Sequence, residues 1–267
     1  MSKVKLNMIG GPFQHDICSS HGSIPKLVEW VKDKSANISI HIDDGIKIPV
    51  NKTKRNYAWV FECSSISPDI FQWVTKNISY IENNFELLFT HDKRILDLSD
   101  KSRLVSGAIK PWIKDFENHE KSKMVSMISS TKNITNDHKY RQKILNKYKG
   151  IIDCYGRGHN PINKKEDGLR DYYFSIAMEN ETYPYMFTEK ITDCFATKTI
   201  PIYWGTSTIG DFFNDKGIIF LTDDFKIEDL SVELYNSKIE YIEENYQKAI
   251  NIPISEDYIF ESHINKL

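Results

Sequence analysis

The chain has 267 residues, of which 40% are hydrophobic and 12% aromatic, so it can form one large or two small globular domains. Its 35 basic and 37 acidic residues give a net charge of −2 without a basic stripe, which argues against nucleic acid as the main partner. No segment approaches the about 18 consecutive apolar residues of a membrane span, and the first apolar run is too short for a signal peptide, so neither is expected.

Short apolar runs alternate with helical patterns along the chain. Several runs are continuously apolar, as in parallel strands that are buried on both faces of a sheet. The predicted strands are Val4–Ile9, Ile38–Ile42, Tyr57–Phe61, Phe85–Phe89, Met124–Ile128, Ile151–Tyr155, Tyr173–Met178, Thr199–Tyr203 and Gly217–Leu221. The alternation of strands with helices predicts an α/β protein.

Helical segments lie between these strands. Ser67 and Pro68 form an N-cap followed by proline at the first helical position, which marks the beginning of one helix. Its apolar face then consists of Phe71, Val74, Ile78 and Ile81. The other predicted helices are Asp137–Tyr148, Thr188–Thr197 and Leu234–Ile250.

A polar segment, Gly107–Ser122, separates two series of strands and helices. We therefore predict two α/β domains with a cleft between them. Residues 1–108 would form the first domain, residues 109–254 the second, and residues 255–267 a tail that packs back on the domains. Ligands of such sheets bind beyond the carboxyl ends of the strands, so residues directly after strands are the first candidates for a site.

Lys190 lies in the first turn of a predicted helix, with Thr188 as the N-cap. The helix dipole disfavours a positive charge there by roughly 0.3–1 kcal/mol. An anion bound at the same helix end would remove this cost, because the free backbone N–H groups and the ammonium would share it. Lys190 is thus either a phosphate ligand or a solvated lysine at a helix start.

Polar residues follow two predicted strands. Glu179 and Asn180 follow Tyr173–Met178, where they would either bind sugar hydroxyls or cap the loop. Glu62 follows Tyr57–Phe61, where it would act as a general base or belong to the turn that comes next. Neither a GxGxxG motif nor a P-loop occurs, so the usual phosphate-binding loops are not present.

Three groups of residues resemble metal ligands, but none has a convincing pattern. The spacing of the first group matches no common zinc site, and paired acids are frequent at strand ends, so no metal site is expected. A glycine-rich loop that lines the cleft is the preferred interpretation of the first group. The groups are His15, Asp16, Cys18 and His21; Asp43 and Asp44; and Asp223 and Asp224.

The four cysteines are scattered and form no CxxC pair. This distribution is typical of reduced thiols rather than of a disulfide framework. We therefore expect a cytoplasmic protein. The cysteines are Cys18, Cys63, Cys154 and Cys194.

The stretch YYFSIAMENETYPYMFTEKITDCFATKTIPIYWG, from Tyr172 to Gly205, resembles the donor-binding signature of the α-1,3/4-fucosyltransferase family. It contains Glu-Asn after a strand, Thr-Glu-Lys at a helix start, and then Pro-Ile in a strand that ends in glycine. Asn180 precedes Glu189 by nine residues, the spacing expected in the family. The likeness extends over Tyr57–Phe225.

The resemblance implies a fold, a reaction and a set of site residues. The fold would be GT-B-like, with two facing Rossmann-like domains, of which residues 1–108 would form the acceptor side and residues 109–254 would bind the GDP-sugar. The enzyme would transfer L-fucose from GDP-fucose to a glycan acceptor with inversion. Glu62 would be the base, and Arg141, in the segment MISSTKNITNDHKYRQKIL, would bind phosphate with Lys190. Asn180 and Glu189 would hold ribose or fucose hydroxyls. No cofactor would be required beyond the donor, although a divalent metal would be able to assist.

Two positions depart from the family pattern. Met186 stands where the family often has tyrosine, which leaves the donor sugar open. Cys63 and Ser64 follow Glu62 where the family often has Ser-Pro, which leaves the base open. The alternatives are a transferase for a different GDP-sugar and a nucleotide-sugar-binding module without catalytic activity.

Overall fold

The computed structural model describes residues 2–11, 13, 17–33 and 35–266. The chain divides into two compact units. The first unit contains the chain up to Ile109, the short segment Pro184–Met186 and the residues from Pro253 onwards. The second unit contains Lys110–Tyr183 and Phe187–Ile252.

A six-stranded parallel sheet forms the centre of the first unit. Its strands are β1 (Val4–Ile9), β2 (Val28–Val31), β3 (Ile38–Ile42), β4 (Arg55–Val60), β5 (Leu88–Thr90) and β6 (Ser102–Leu104). They are arranged in the order β2-β1-β3-β4-β5-β6. Both faces of the sheet are covered, and β3, β4 and β5 are buried along nearly their whole length, as expected for central parallel strands.

The two faces of this sheet pack against different helices. Side chains alternate along β4, so Tyr57 and Trp59 belong to one core cluster and Ala58 and Val60 to the other. The second cluster includes side chains of the helices α1 (Pro68–Lys76), α2 (Ile78–Asn84) and α3 (Lys93–Leu96). The first cluster includes Ile259, from the C-terminal segment.

The second unit is built on a five-stranded parallel sheet. Its strands are β7 (Lys123–Ile128), β8 (Asp153–Tyr155), β9 (Tyr172–Met178), β10 (Ile200–Trp204) and β11 (Ile219–Phe220), in the order β11-β10-β9-β7-β8. The helices of this unit are α4 (Asn136–Lys147), α5 (Glu189–Ala196), α6 (Val232–Ser237) and α7 (Ile239–Ile250). Each unit is a Rossmann-like α/β domain, so the predicted fold class is confirmed.

Two predicted helices are each interrupted in the structure. The apolar face of the helix predicted to begin at Pro68 is shared by α1 and α2, which meet at Asn77. The Asn77 side chain donates a hydrogen bond to the carbonyl of Trp73 over 2.7 Å. The helix predicted as Leu234–Ile250 is α6 followed by α7. The Ser237 hydroxyl donates to the carbonyl of Leu234 over 2.7 Å at that junction. Such side-chain bonds to the backbone compete with helical bonds, while the apolar periodicity continues across the break.

The short strands β2 and β6 were not predicted. Both are edge strands, with one neighbour each, and β6 has no fully buried residue. A half-covered strand of three or four residues carries too little hydrophobic pattern to be recognised.

All four cysteines are free thiols. Within the described part of the chain, every helix is too short or too polar to cross a lipid bilayer.

The C-terminal segment belongs to the first unit. It contains α8 (Ser255–Ile259) and a π-helical turn, Phe260–Ile264. The buried carboxylate of Glu256 accepts hydrogen bonds from the backbone N–H of Ser19 at 2.7 Å and from the indole N–H of Trp30 at 3.1 Å. This segment is therefore an integral part of the core of the first unit.

We expect Ile259→Ala to lower the free energy of unfolding by about 2–5 kcal/mol, because the side chain is fully buried in the apolar cluster and its removal leaves a cavity. Urea unfolding followed by circular dichroism measures the change. Glu261→Ala, at an exposed position of the same segment, is the matched control and should change the value by about 0.5 kcal/mol or less. Equal effects of the two substitutions would show that the segment is not packed.

Candidate active site

Lys190 is paired with a buried carboxylate. Its Nζ donates to the Thr188 hydroxyl at 2.8 Å and lies 3.4 Å from Oε2 of Glu179, which is fully buried. Glu179 also accepts the backbone N–H of Thr188 at 2.9 Å and its hydroxyl at 2.7 Å. The beginning of α5 is thus tied to the end of β9 through Glu179. Thr188 is the N-cap residue, as predicted, but its side chain bonds Glu179 instead of the helix.

Arg141 is anchored at the same strand end. One of its terminal nitrogens, Nη2, donates to the carbonyls of Met178 at 2.8 Å and Glu179 at 2.9 Å and to Oδ1 of Asn180 at 2.9 Å. Burial lowers the pKa of Arg141, and the carboxylates of Glu179 and Glu189 oppose this effect. Within the described residues, Nε and Nη1 donate no hydrogen bond, so they remain available to an anionic ligand.

Glu189 lies in a buried cluster of charges. Its Oε1 is 3.2 Å from Nζ of Lys165, which also contacts Oδ2 of Asp193 at 2.5 Å. Burial acts to raise the pKa of Glu189, but the ammonium groups of Lys165 and Lys190 hold it at about 2. Asp193 in turn accepts the backbone N–H of Trp112 at 2.7 Å. Glu189 is therefore ionised and held in place at neutral pH.

Lys165 and Asp193 were missed by the sequence analysis. Asp193 follows Glu189 by four residues in α5, so the helical spacing was a signal that both carboxylates lie on one face. No local pattern pointed to Lys165, which reaches α5 from a short helical turn, Lys165–Gly168. The cation that neutralises the two acids is brought to them only by the fold.

Glu62 lines a cavity of about 180 Å³ in the first unit. The cavity lies where β1, β3 and β4 end, and its wall includes Phe13 and Phe61. The centroids of these two rings are 4.9 Å apart in an edge-to-face arrangement. Its polar lining consists of Asp43, Asp44, Glu62 and Ser67. A cavity with carboxylates beside aromatic rings is suited to a ligand that presents hydroxyl groups next to an apolar face.

Asp43 holds the segment that carries Glu62. Its Oδ1 accepts the backbone N–H groups of Phe61 at 2.8 Å and Glu62 at 3.3 Å. Burial raises the pKa of Asp43 to about 6; these two hydrogen bonds oppose the shift, and the charge of Asp44 adds to it. Position 45, two residues after Asp43, must be glycine, because a Cβ atom at Gly45 would lie 2.1 Å from the carbonyl oxygen of Ile9.

The groups considered as metal ligands are dispersed. Within the described residues, no three His, Cys, Asp or Glu side chains are grouped so as to hold a metal ion. Asp223 and Asp224 are exposed, Cys18 is buried, and His21 is exposed. His15 and Asp16 lie outside the described residues.

Four of the five predicted site residues thus meet at the carboxyl end of β9. Arg141 and Lys190 supply positive charge there, and Asn180 and Glu189 supply hydrogen-bonding groups. Such a set can hold the phosphates and hydroxyls of a nucleotide sugar. The fifth residue, Glu62, lies in the first unit and lines a cavity. A compound with a hydroxyl group can enter this cavity, and the Glu62 carboxylate can accept the hydroxyl proton.

The sequence of the second unit matches a known family. The family model described as "Glycosyltransferase family 10 (fucosyltransferase) C-term" matches residues 118–248. The chain is 34% identical over 110 residues to the alpha-(1,3)-fucosyltransferase of Helicobacter pylori. It is 38% identical over 84 residues to a protein of Acanthamoeba polyphaga mimivirus that is named as a fucosyltransferase. These matches cover 39% and 32% of this chain but only 22% and 14% of the two relatives.

Solved structures resemble the chain over most of its length. An α1,3-fucosyltransferase with GDP-fucose has a TM-score of 0.52 and 15% identity, covering 94% of this chain and 82% of that one. The structure of TarM has a TM-score of 0.55 and 14% identity, covering 85% of this chain and 54% of that one. At these identities the likeness concerns the fold alone, and it confirms the expected GT-B class.

Proposed function

We propose that this chain transfers L-fucose from GDP-fucose to a hydroxyl group of a glycan acceptor, because its residues 118–248 match the model of glycosyltransferase family 10, the fucosyltransferases. The observation that carries the proposal is the grouping of Arg141, Asn180, Glu189 and Lys190 at the carboxyl end of β9, within the matched segment. The donor is taken from the fucosyltransferase whose structure is described with GDP-fucose. The free cysteines support the cytoplasm as the place of action.

The proposed reaction proceeds with inversion in a single displacement. Glu62 takes the proton of the acceptor hydroxyl, which attacks the anomeric carbon of fucose as the bond to the β-phosphate oxygen breaks. Negative charge then develops on the β-phosphate of the leaving GDP. Arg141 and Lys190 stabilise that charge in the transition state. Asn180 and Glu189 bind hydroxyl groups of the ribose or the fucose.

Incubation with GDP-fucose, with and without a panel of glycan acceptors, tests this function. The expected result is acceptor-dependent consumption of GDP-fucose and an acceptor whose mass increases by one deoxyhexose. Parallel reactions with GDP-mannose test the alternative of another GDP-sugar, which the position of Met186 leaves open. Binding of GDP-fucose without turnover on any acceptor would favour a nucleotide-sugar-binding module, and the absence of binding would contradict the proposal.

We expect transfer activity to retain half or more of its untreated level in EDTA. The proposal assigns two side-chain cations, Arg141 and Lys190, to the diphosphate, so a metal ion is not needed to neutralise it. The measurement is the rate of GDP release before and after EDTA, with added manganese as the comparison. Complete loss of activity that manganese restores would instead assign Asp43 and Asp44, or Asp223 and Asp224, to a metal site.

A further inference from the structure

His138 links the beginning of α4 to Asn180. It is the third residue of the helix, and it is almost fully buried. Its Nδ1 lies 3.2 Å from the backbone nitrogen of Thr135, and its Nε2 lies 3.2 Å from Oδ1 of Asn180. Thr135 completes the link, because its hydroxyl accepts the backbone N–H of His138 at 3.0 Å and donates to the backbone carbonyl of Asn180 at 2.9 Å.

These contacts determine the tautomer of His138. A backbone N–H can only donate, so Nδ1 must be an unprotonated acceptor of the Thr135 N–H. Burial lowers the pKa of the His138 imidazole, and the charges of Arg141, Lys132 and Lys190 lower it further, against the hydrogen bond to Asn180. The ring is therefore neutral at neutral pH, and its single proton is on Nε2. That proton is donated to Oδ1 of Asn180.

The orientation of the Asn180 amide follows from its two partners. The guanidinium of Arg141 has donors only, and it reaches Asn180 at 2.9 Å. His138 and Arg141 are three residues apart in α4, so both donors approach from one face of the helix. The atom between them must be the side-chain oxygen of Asn180. The NH₂ group is directed away from them, and Asn180 is partly exposed.

We propose that His138 is a positioning residue of the donor site: its Nε2–H holds the side-chain oxygen of Asn180, so that the Asn180 NH₂ group donates hydrogen bonds to GDP-fucose. The inference rests on the proposed function, because it assigns Asn180 to the donor. It adds that Asn180 acts as a hydrogen-bond donor, and therefore contacts acceptor oxygens of a phosphate or hydroxyl group. A residue that only capped α4 would require the contact to Thr135 but not the contact to Asn180.

Calorimetric titration with GDP-fucose tests the role of His138. His138→Met fills a similar volume without hydrogen bonds, and we expect it to weaken binding about three- to tenfold, the value of one hydrogen bond. His138→Gln can accept from Thr135 and donate to Asn180, and should restore most of the affinity. Lys139→Ala, at the exposed neighbouring position, is the control and should bind like the wild type. Thermal melting verifies that each variant is folded.

A double substitution separates positioning from packing. In Asn180→Ala, which lacks the amide, His138→Met should change GDP-fucose affinity by less than about twofold, because its effect passes through Asn180. An equal loss in both backgrounds, or wild-type affinity of the folded His138→Met protein, would overturn the inference.

The tautomer is measurable independently of the donor. The ¹⁵N chemical shifts of the imidazole in the free protein should correspond to an unprotonated Nδ1 and a protonated Nε2 at pH 7–8. A proton on Nδ1 would refute the proposed role even if GDP-fucose binds. If the free protein shows the expected tautomer but does not bind GDP-fucose, the proposed function fails, and the donor-site role of His138 fails with it.

Discussion

Glu62→Gln is expected to lower the rate of fucosyl transfer by about 10²–10⁴-fold, the usual contribution of a general base. The glutamine amide keeps nearly the same volume in the cavity but cannot take the proton of the acceptor hydroxyl. The affinity for GDP-fucose should stay within a few-fold of the wild-type value, because the proposed donor residues belong to the second unit. Steady-state rates at saturating donor and acceptor measure the first effect, and calorimetric titration of GDP-fucose measures the second.

Asp69→Asn is the matched control for this substitution. It removes a carboxylate from an exposed position a few residues further along the chain, and should leave turnover within twofold. Near-normal turnover of Glu62→Gln would move the base to another group. Asp43 would be the next candidate in the same cavity, because burial raises its pKa to about 6, a suitable value for proton transfer near neutral pH.

Arg141→Ala and Lys190→Ala should each weaken GDP binding by about one to two powers of ten. A charge-assisted hydrogen bond to phosphate contributes roughly 1.5–3 kcal/mol, and about 1.4 kcal/mol corresponds to a factor of ten. The structure adds a second reason for Lys190. Without its ammonium, the carboxylate of Glu179 would lose its counter-ion and would repel the diphosphate.

GMP distinguishes a phosphate contact from a loss of structure. It lacks the β-phosphate, so it should bind weakly to the wild type and respond little to either substitution, whereas unfolding would harm both ligands alike. Lys143→Ala, which removes an exposed cation from α4, is the control and should bind GDP like the wild type. If Lys190→Ala also binds GDP like the wild type, the lysine is only the counter-ion of Glu179.

Local sequence patterns were sufficient to predict much of the fold. The predicted strands Val4–Ile9 and Ile38–Ile42 have those same ends in the structure, and Ser67 with Pro68 marks the beginning of α1. Strand patterns and helix starts of this kind depend only on residues that are close together in the sequence. The rule that ligands bind after strand ends also selected Asn180 and Glu62, since strand ends can be recognised from hydrophobic patterns.

The partners of the site residues could not be predicted in this way. Lys190 was expected to face a phosphate or solvent, but its ammonium lies beside Glu179, eleven residues earlier in the chain. The bond between His138 and Asn180 joins residues 42 positions apart, and the position of each depends on a different element. A sequence pattern indicates that a residue is polar, but it does not indicate which distant group will satisfy it.

Local patterns were therefore enough to predict the α/β class, most strands, and two polar residues of the proposed donor site, Asn180 and Lys190. Three contacts became known only from the folded chain: Lys165 neutralises Glu189, His138 contacts Asn180, and Glu256 bonds Ser19 across 237 residues. The physical reason is that hydrophobic periodicity and capping encode contacts within about four residues. Buried charges and amides, in contrast, must find their partners wherever packing of the core brings them together.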